Sequence, residues 1–264
     1  MTPCYYRRLS GTGAGEVQVF ESTDLTRSNW STDLQHGSPP LALLTKAIEE
    51  LLVGSDLRIG RLTLDILGAI PVAQLQVRAW IERPGKRICL LAAEMTPTGG
   101  TGRPVARVTA WALAPSDTAA AATDRYPPLV EGACQPLPAG WWDADGYLTT
   151  VDFRRQVDDT SGARVFWLTP KVGLVDDEPT TALERLAMIV DSANGVGSAL
   201  DPAAYMFMNT DTAVHLHRLP TGADFALRGR ASIGPDGIGV TTAEIYDRAG
   251  FLGTSAQTLL VQKR

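Results

Sequence analysis

The sequence predicts an α+β fold made by internal duplication, with two curved antiparallel sheets each wrapped around a long helix. Three observations predict it. A helical stretch followed by four strand-like runs occurs twice within 264 residues. The turn signals between those runs fall in the same order in both copies: Pro71 with Pro220, Pro84-Gly85 with Pro235-Asp236-Gly237, and Gly102 with Gly250. The apolar content of 44%, against 20% charged, suits a chain that buries a sizeable core. Pairing the two halves edge to edge would remove exposed strand edges. The expected division is residues 1–114, a crossover at 115–146, and residues 147–264.

In the first half, residues 17–20 alternate weakly and read as a short strand. The loop WSTDLQHGSPP at 30–40 feeds a helix. Ser38 is placed to cap it, and Pro39 to fill the first turn, where its missing N–H costs nothing. Leu41, Leu44, Ile48, Leu51 and Leu52 give the helix an apolar face, with Lys46, Glu49 and Glu50 opposite, and Gly54 ends it. Strand-like runs follow at 57–70, 72–82, 87–96 and 105–114. Residues 115–146 carry five prolines, an alanine cluster and Trp141-Trp142. They read as an ordered crossover anchored on the surface by the tryptophans, or as a linker.

The second half repeats the pattern. Runs at 148–154 and 164–168 precede a helix at 180–194. Pro179 with Thr180 or Thr181 suits its start, and Gly195 and Gly197 suit its end. Leu183, Leu186, Ala187 and Val190 make its apolar stripe. Runs at 205–219, 223–233, 237–247 and 251–262 complete the copy.

Several function classes are disfavoured. The net charge of −5, with no run of Lys and Arg, offers no positive field for nucleic acid. Three cysteines, Cys4, Cys89 and Cys134, share no metal-like spacing, so neither a disulfide framework nor a zinc site is expected, and a reducing cytoplasm is the expected compartment. There is no signal-peptide pattern at the N-terminus and no apolar run long enough to span a membrane. Phosphate-cradling glycine loops and the GxSxG elbow are absent. No metal and no cofactor is expected.

The residue that stands out is Asp191. It sits beside the apolar stripe of the second helix and near that helix's C-terminus, where the macrodipole opposes a carboxylate. An ion among apolar neighbours must find partners or shift its pKa. The same residues also fit a solvated acid at a helix end, flanked by Ser192 and Asn194. Aligning Gly102 with Gly250 places Leu43 opposite Asp191 and Thr109 opposite Gln257, so the first half lacks both polar groups. Gln257 points inward if Leu259 and Val261 do, or outward with Ser255. In YMFMNTDTAVHLHRL, alternation puts Asn209, Asp211, His215 and His217 on one face and Met208, Thr210, Val214 and Leu216 on the other. The two histidines lack a third metal ligand and fit an outward face. His36-Gly37, just before the first helix, offers backbone N–H groups at the positive end of a helix dipole, an oxyanion site or simply a helix start.

The segments HGSPPLALLTKAIEE, DSANGVGSALDP, NTDTAVHLHRLP and GTSAQTLLV, in that order, resemble the double-hotdog acyl-CoA thioesterases of the acyl-CoA thioesterase II type. The resemblance implies two hotdog units in one chain, acyl-CoA as substrate and a homodimer. It further implies a catalytic Asp on the second helix, a Ser or Thr on the next strand and a Gln on the last. Asp191 matches the Asp, Gln257 the Gln, and His36-Gly37 the turn at the first helix. Asn209 falls at the hydroxyl position, a departure from the family pattern, and Thr210 would substitute only if a bulge turned it. The function implied is hydrolysis of an acyl-CoA thioester, with Asp191 as base or nucleophile, Gln257 and Asn209 holding the water, the Gly37 N–H on the oxyanion, and Met188 and Leu44 along the acyl channel. The alternatives are a non-catalytic acyl-CoA or acyl-carrier binder and an enoyl-CoA hydratase. The hydratase spacing D-x4-H fails, because Ser31 stands five residues before His36.

Overall fold

The computed structural model describes residues 2–136, 145–156, 162–198 and 200–264. Trp141 and Trp142 lie outside the described residues. The elements run β1 (Cys4–Ser10), β2 (Gln18–Ser22), α1 (Ser38–Leu51), β3 (Arg58–Ile66), β4 (Gln74–Arg83), β5 (Ile88–Pro97) and β6 (Ala106–Leu113). After β7 (Cys134–Gln135) come β8 (Val151–Gln156), β9 (Arg164–Pro170), β10 (Gly173–Val175), α2 (Ala182–Val190), α3 (Ala193–Gly197) and β11 (Tyr205–Asn209). The chain ends with β12 (Asp211–Leu216), β13 (Phe225–Ile233), β14 (Ile238–Asp247) and β15 (Gly250–Lys263).

The hydrogen-bonded path is β10-β1-β2-β4-β5-β6-β3-β12-β15-β14-β13-β9-β8-β7, with β11 also on β15. It repeats about its middle. The order β2-β4-β5-β6-β3 in the first half matches β9-β13-β14-β15-β12 in the second, each half supplying one strand before its helix and four after. Where two sheets are expected, the strands form one continuous path, because β3 and β12 pair antiparallel, Leu64 opposite Thr212 and Leu62 opposite Val214. The ladder is not wholly antiparallel either: β1 lies parallel to β10, Cys4 opposite Gly173.

Both helices share one core. The α1 helix packs on β4, β5 and β6, and against α2. Its Leu41, Leu43, Leu44 and Ile48 are fully buried, so it is apolar around most of its circumference, as a helix enclosed by sheet and helix must be. Gly37, not Ser38, is its N-cap; Ser38 and Pro39 occupy the first two helical positions. Thr181 caps α2 through a capping box with Glu184, each satisfying the other's backbone N–H.

The second helix is shorter than expected. It closes at Val190, the Ser192 N–H turns back to the Ile189 carbonyl at 3.0 Å, and α3 begins one residue later. The α3 helix lies on β13 and β14, where Gly197 meets the backbone of Gly229 and Arg230; a Cβ there would stand 3.0 Å from Arg230 main-chain atoms. The two long helices run antiparallel. Gly37 at the start of α1 faces Asp191 at the end of α2, and Glu49 near the end of α1 accepts from the Thr181 hydroxyl at the start of α2 (2.8 Å).

The described part of the crossover lies over the outer face of the second half. Tyr126 stacks on Phe251 with ring centroids 3.8 Å apart, and the Tyr246 hydroxyl donates to the Pro127 carbonyl at 2.9 Å. Leu129 packs on Trp167, Tyr246 and Phe251.

Candidate active site

Asp191 is the C-cap of α2 and is only 2% exposed. The tightened turn after Ile189 directs its side chain toward β12 and β15. Its Oδ1 accepts from the Thr212 hydroxyl (2.6 Å), from Asn209 Nδ2 (2.7 Å) and, at 3.4 Å, from Gln257 Nε2. Gln257 Nε2 also donates to the Asp191 carbonyl (3.0 Å) and to Thr212 Oγ1 (2.9 Å). The Thr212 hydroxyl thus gives its one proton to the carboxylate while accepting from two amides, since Asn209 Nδ2 lies 3.1 Å away. This set satisfies one carboxylate oxygen of a buried acid. Among the described residues, none hydrogen-bonds Oδ2.

Oδ2 faces the start of α1. A Cβ on Gly37 would collide with the carboxylate, standing 2.8 Å from Asp191 Cγ. Gly37 has ordinary helical torsions, φ −68° and ψ −24°, so glycine is required here for space, not for backbone conformation. The loop before it is pinned. The His36 N–H donates to the Thr26 carbonyl (2.8 Å), the Gln35 N–H to the Ile70 carbonyl (2.8 Å), and the Tyr6 hydroxyl to Gln35 Oε1 (2.6 Å). The Gly37 N–H has no acceptor among the described residues, as expected in the first turn of a helix.

His36 stacks on Tyr147 at 3.8 Å and 11°, and its Nδ1 stands 3.8 Å from Asp191 Oδ2. That spacing would suit an ion pair, yet two facts make the ring neutral. Its Nδ1 accepts the Ser38 N–H at 3.1 Å, so the ring proton sits on Nε2. Burial pulls its pKa below the ordinary value, more than the Asp191 charge raises it. Tyr147 is held in turn, its hydroxyl donating to the Met188 carbonyl (2.9 Å) and paired with Ser192 Oγ (2.8 Å).

Asp191, His36, Gly37 and Asn209 open onto a cavity of about 190 Å³. Its walls are mostly apolar and aromatic, with Trp30, Ile70, Phe153, Phe166, Val196 and Phe207 among the residues that line it. Met188 and Leu44, expected along an acyl channel, are buried in the core and are not among its lining residues. They face the packed helix pair rather than the opening.

The expected residues are therefore brought together with one exception. Thr210 is exposed and bonds Asp211 Oδ1 (3.2 Å) and the Thr258 carbonyl (3.4 Å), away from Asp191. The hydroxyl beside Asp191 belongs to Thr212, which sequence reading did not single out. A one-residue register slip is the cause. Asn209 stands opposite Leu259, but Ala213 stands opposite Ala256, so the segment between gains one residue on its partner. That bulge puts Asn209 and Thr212 on the same inner face, where unbroken alternation would have opposed them. In the first half the inward positions are apolar. Val108 is buried, while Thr109 accepts from Arg61 Nη2 at 3.0 Å on the outer side.

Residues 26–113 match the family described as the acyl-CoA thioesterase N-terminal domain, and residues 126–261 match the acyl-CoA thioesterase C-terminal domain. The chain belongs to the acyl-CoA thioesterase family. It is a thioesterase by this membership, and solved structures of low sequence identity share its hotdog fold. A candidate thioesterase from Novosphingobium aromaticivorans matches at 15% identity and TM-score 0.71, covering 97% of this chain and 98% of that one. A hotdog-fold protein of unknown function from Alicyclobacillus acidocaldarius matches at 14% identity and TM-score 0.70, over 95% of both chains. An acyl-CoA thioesterase II from Mycobacterium marinum matches at 12% identity and TM-score 0.64, over 93% of both. No curated protein sequence matches the thioesterase. Among its described residues, no helix is long and apolar enough to cross a membrane, and no group of three metal-ligating side chains is found.

Proposed function

We propose that this thioesterase hydrolyses acyl-CoA to a free carboxylic acid and CoA at the cavity beside Asp191. Asp191 Oδ2 takes a proton from a water that attacks the thioester carbonyl carbon. The negative charge that develops on the carbonyl oxygen rests on the Gly37 N–H, backed by the α1 dipole. Collapse of the tetrahedral species breaks the C–S bond, and the thiolate recovers a proton as CoA. Gln257, Asn209 and Thr212 hold Oδ1, which fixes the direction of Oδ2. Direct attack by Asp191 on the carbonyl is the variant of this reading, with water then cleaving the mixed anhydride. Neither route draws on a metal or a cofactor.

The observation that carries the reading is a buried carboxylate with one oxygen saturated by three side chains and the other aimed at a helix N-terminus beside an apolar cavity. We further infer a double hotdog, residues 1–114 and 147–264 each forming one sheet-wrapped helix with 115–146 as crossover; the repeated strand order and the two family matches support it. A homodimer in a reducing cytoplasm accompanies this reading, and three free cysteines accord with such a compartment. The non-catalytic alternative drew its support from Asn209 at the position where the resemblance implies a hydroxyl, and the Thr212 hydroxyl on Asp191 Oδ1 supports the catalytic reading instead.

The deciding experiment is release of free thiol from a panel of acyl-CoAs of graded chain length. Turnover of at least one of them is expected. Tight binding of acyl-CoA without thiol release would favour the binder.

A further inference from the structure

We propose that Arg164, with Arg155 beside it, forms a subsite for an anionic group carried by the thioester substrate. The inference rests on the hydrolytic reading above and names a feature of the substrate that the reading leaves open.

Arg164 opens β9 and lines the same cavity as Asp191. Arg155 lies on β8 directly opposite Phe166. Side chains facing each other across an antiparallel ladder share a face, as do residues two apart on one strand. Phe153 and Arg155 on β8 therefore share the inner face with Arg164, Phe166 and Leu168 on β9. Leu168 is fully buried, and Phe153, Phe166 and Arg164 line the cavity, so the Arg164 guanidinium continues an apolar wall, with Arg155 beside it on the same sheet face.

Neither arginine has an ion-pair partner among the described residues. The cluster contrasts with Arg8, Arg154, Arg218, Arg228 and Arg248, each of which meets a carboxylate. Among the described residues, the sole hydrogen bond of the Arg164 guanidinium runs from Nη1 to the Ser198 carbonyl at 2.5 Å, just past α3. That bond orients the planar fork and leaves its other donors free. Burial and the Arg155 charge both pull the Arg164 pKa down, in keeping with two cations lying close together. Two half-buried like charges beside aromatic rings are unfavourable until an anion joins them. A guanidinium fork matches phosphate and carboxylate oxygens bidentately. A thioester substrate brings such an anion from one of two sources: the phosphates of CoA, or a carboxylate at the far end of the acyl chain.

Three thioesters separate the sources: octanoyl-CoA, octanoyl-N-acetylcysteamine, which has neither anion, and suberyl-N-acetylcysteamine, which has only the acyl carboxylate. Arg164→Gln is expected to raise KM by roughly 10–100-fold for the thioester bearing the recognised anion, as loss of a charge-assisted contact does, with kcat held within a few-fold. Octanoyl-N-acetylcysteamine should be unaffected. An effect confined to octanoyl-CoA assigns the phosphates, and one that includes suberyl-N-acetylcysteamine assigns the carboxylate. The wild-type KM for the recognised thioester should rise with salt, and Arg164→Gln should flatten that dependence. Equal losses on all three thioesters would mean that Arg164 only braces α3 through Ser198, and no change on any would leave it without a binding role; either result overturns the proposal. Calorimetric titration of free CoA and free suberate into wild type and Arg164→Gln reads the subsite directly. It remains informative even if no thioester is turned over, so loss of the hydrolytic reading and loss of the subsite are told apart.

Discussion

The Thr212 hydroxyl donates to Asp191 Oδ1 across 2.6 Å, joining two residues 21 positions apart in the sequence. It is the shortest of the bonds on that carboxylate, and Gln257 Nε2 reaches the same hydroxyl. Thr212→Val keeps the shape of the side chain and removes the junction. A buried amide, a half-buried one and a buried carboxylate then lose a shared partner, a cost of about 1–3 kcal/mol in stability. The turnover number is expected to fall by on the order of 10–100-fold with little change in KM, because the loss falls on the direction of Oδ2 and not on the cavity. Thr212→Ser should recover most of the rate. Steady-state thiol release with both variants is the check, and a Ser variant as slow as the Val variant would speak against a hydroxyl role.

Asp191→Asn retains the volume and keeps an oxygen for Thr212 and Asn209, while removing the proton acceptor. Thiol release should drop by roughly 10²–10⁴-fold, the usual contribution of a general base. The melting temperature should stay near that of the wild type, since the amide preserves the bonds at Oδ1. Full activity in this variant would end the assignment of Asp191 as base or nucleophile.

Gly37→Ala tests the contact between the two halves. The added methyl has no free space, because the Asp191 carboxylate already occupies it. The backbone torsions tolerate alanine, so the helix should form. The carboxylate must move by a fraction of an ångström or more, and misplacement on that scale costs on the order of 100-fold in rate. Far-UV circular dichroism unchanged from wild type, together with a fall in kcat, is the expected pair of results. An alanine variant with normal kcat would show that the position of Oδ2 does not matter.

Much of this site is legible in the sequence, for reasons that differ by residue. Asp191 declares itself because Leu183, Leu186 and Ala187 set a helical stripe that an acid then joins. Gln257 is legible because β15 alternates without a break from Ser255 to Val261. Thr212 is hidden by the slip between Asn209 and Ala213. A bulge changes the face of every later residue yet leaves no mark on composition or turn signals. Strands β1 and β10 escape for another reason: their pairing is parallel and joins residues about 170 apart, and no local period reports such a contact. The Ser38 cap fails because Gly37 takes that position, where only a residue without a side chain fits against Asp191.

Glu49 supplies a test independent of catalysis. Burial at the crossing of α1 and α2 pushes its pKa up to about 7; the Thr181 hydroxyl bond opposes this, Glu184 adds to it and Lys46 opposes it. A carboxyl with a raised folded pKa favours the fold when protonated. Its contribution is therefore complete below the ordinary value near 4.5 and is lost as pH rises through about 7. Glu49→Gln keeps an oxygen for the Thr181 hydroxyl and cannot ionise. The variant should match the wild type near pH 4.5 and exceed it at pH 8 by on the order of 2 kcal/mol, a value discounted for the partial exposure of the side chain. Urea unfolding of both proteins across that range is the measurement. The two stability curves should diverge between about pH 5 and 8, and parallel curves would mean that Glu49 stays ionised at no cost in the fold.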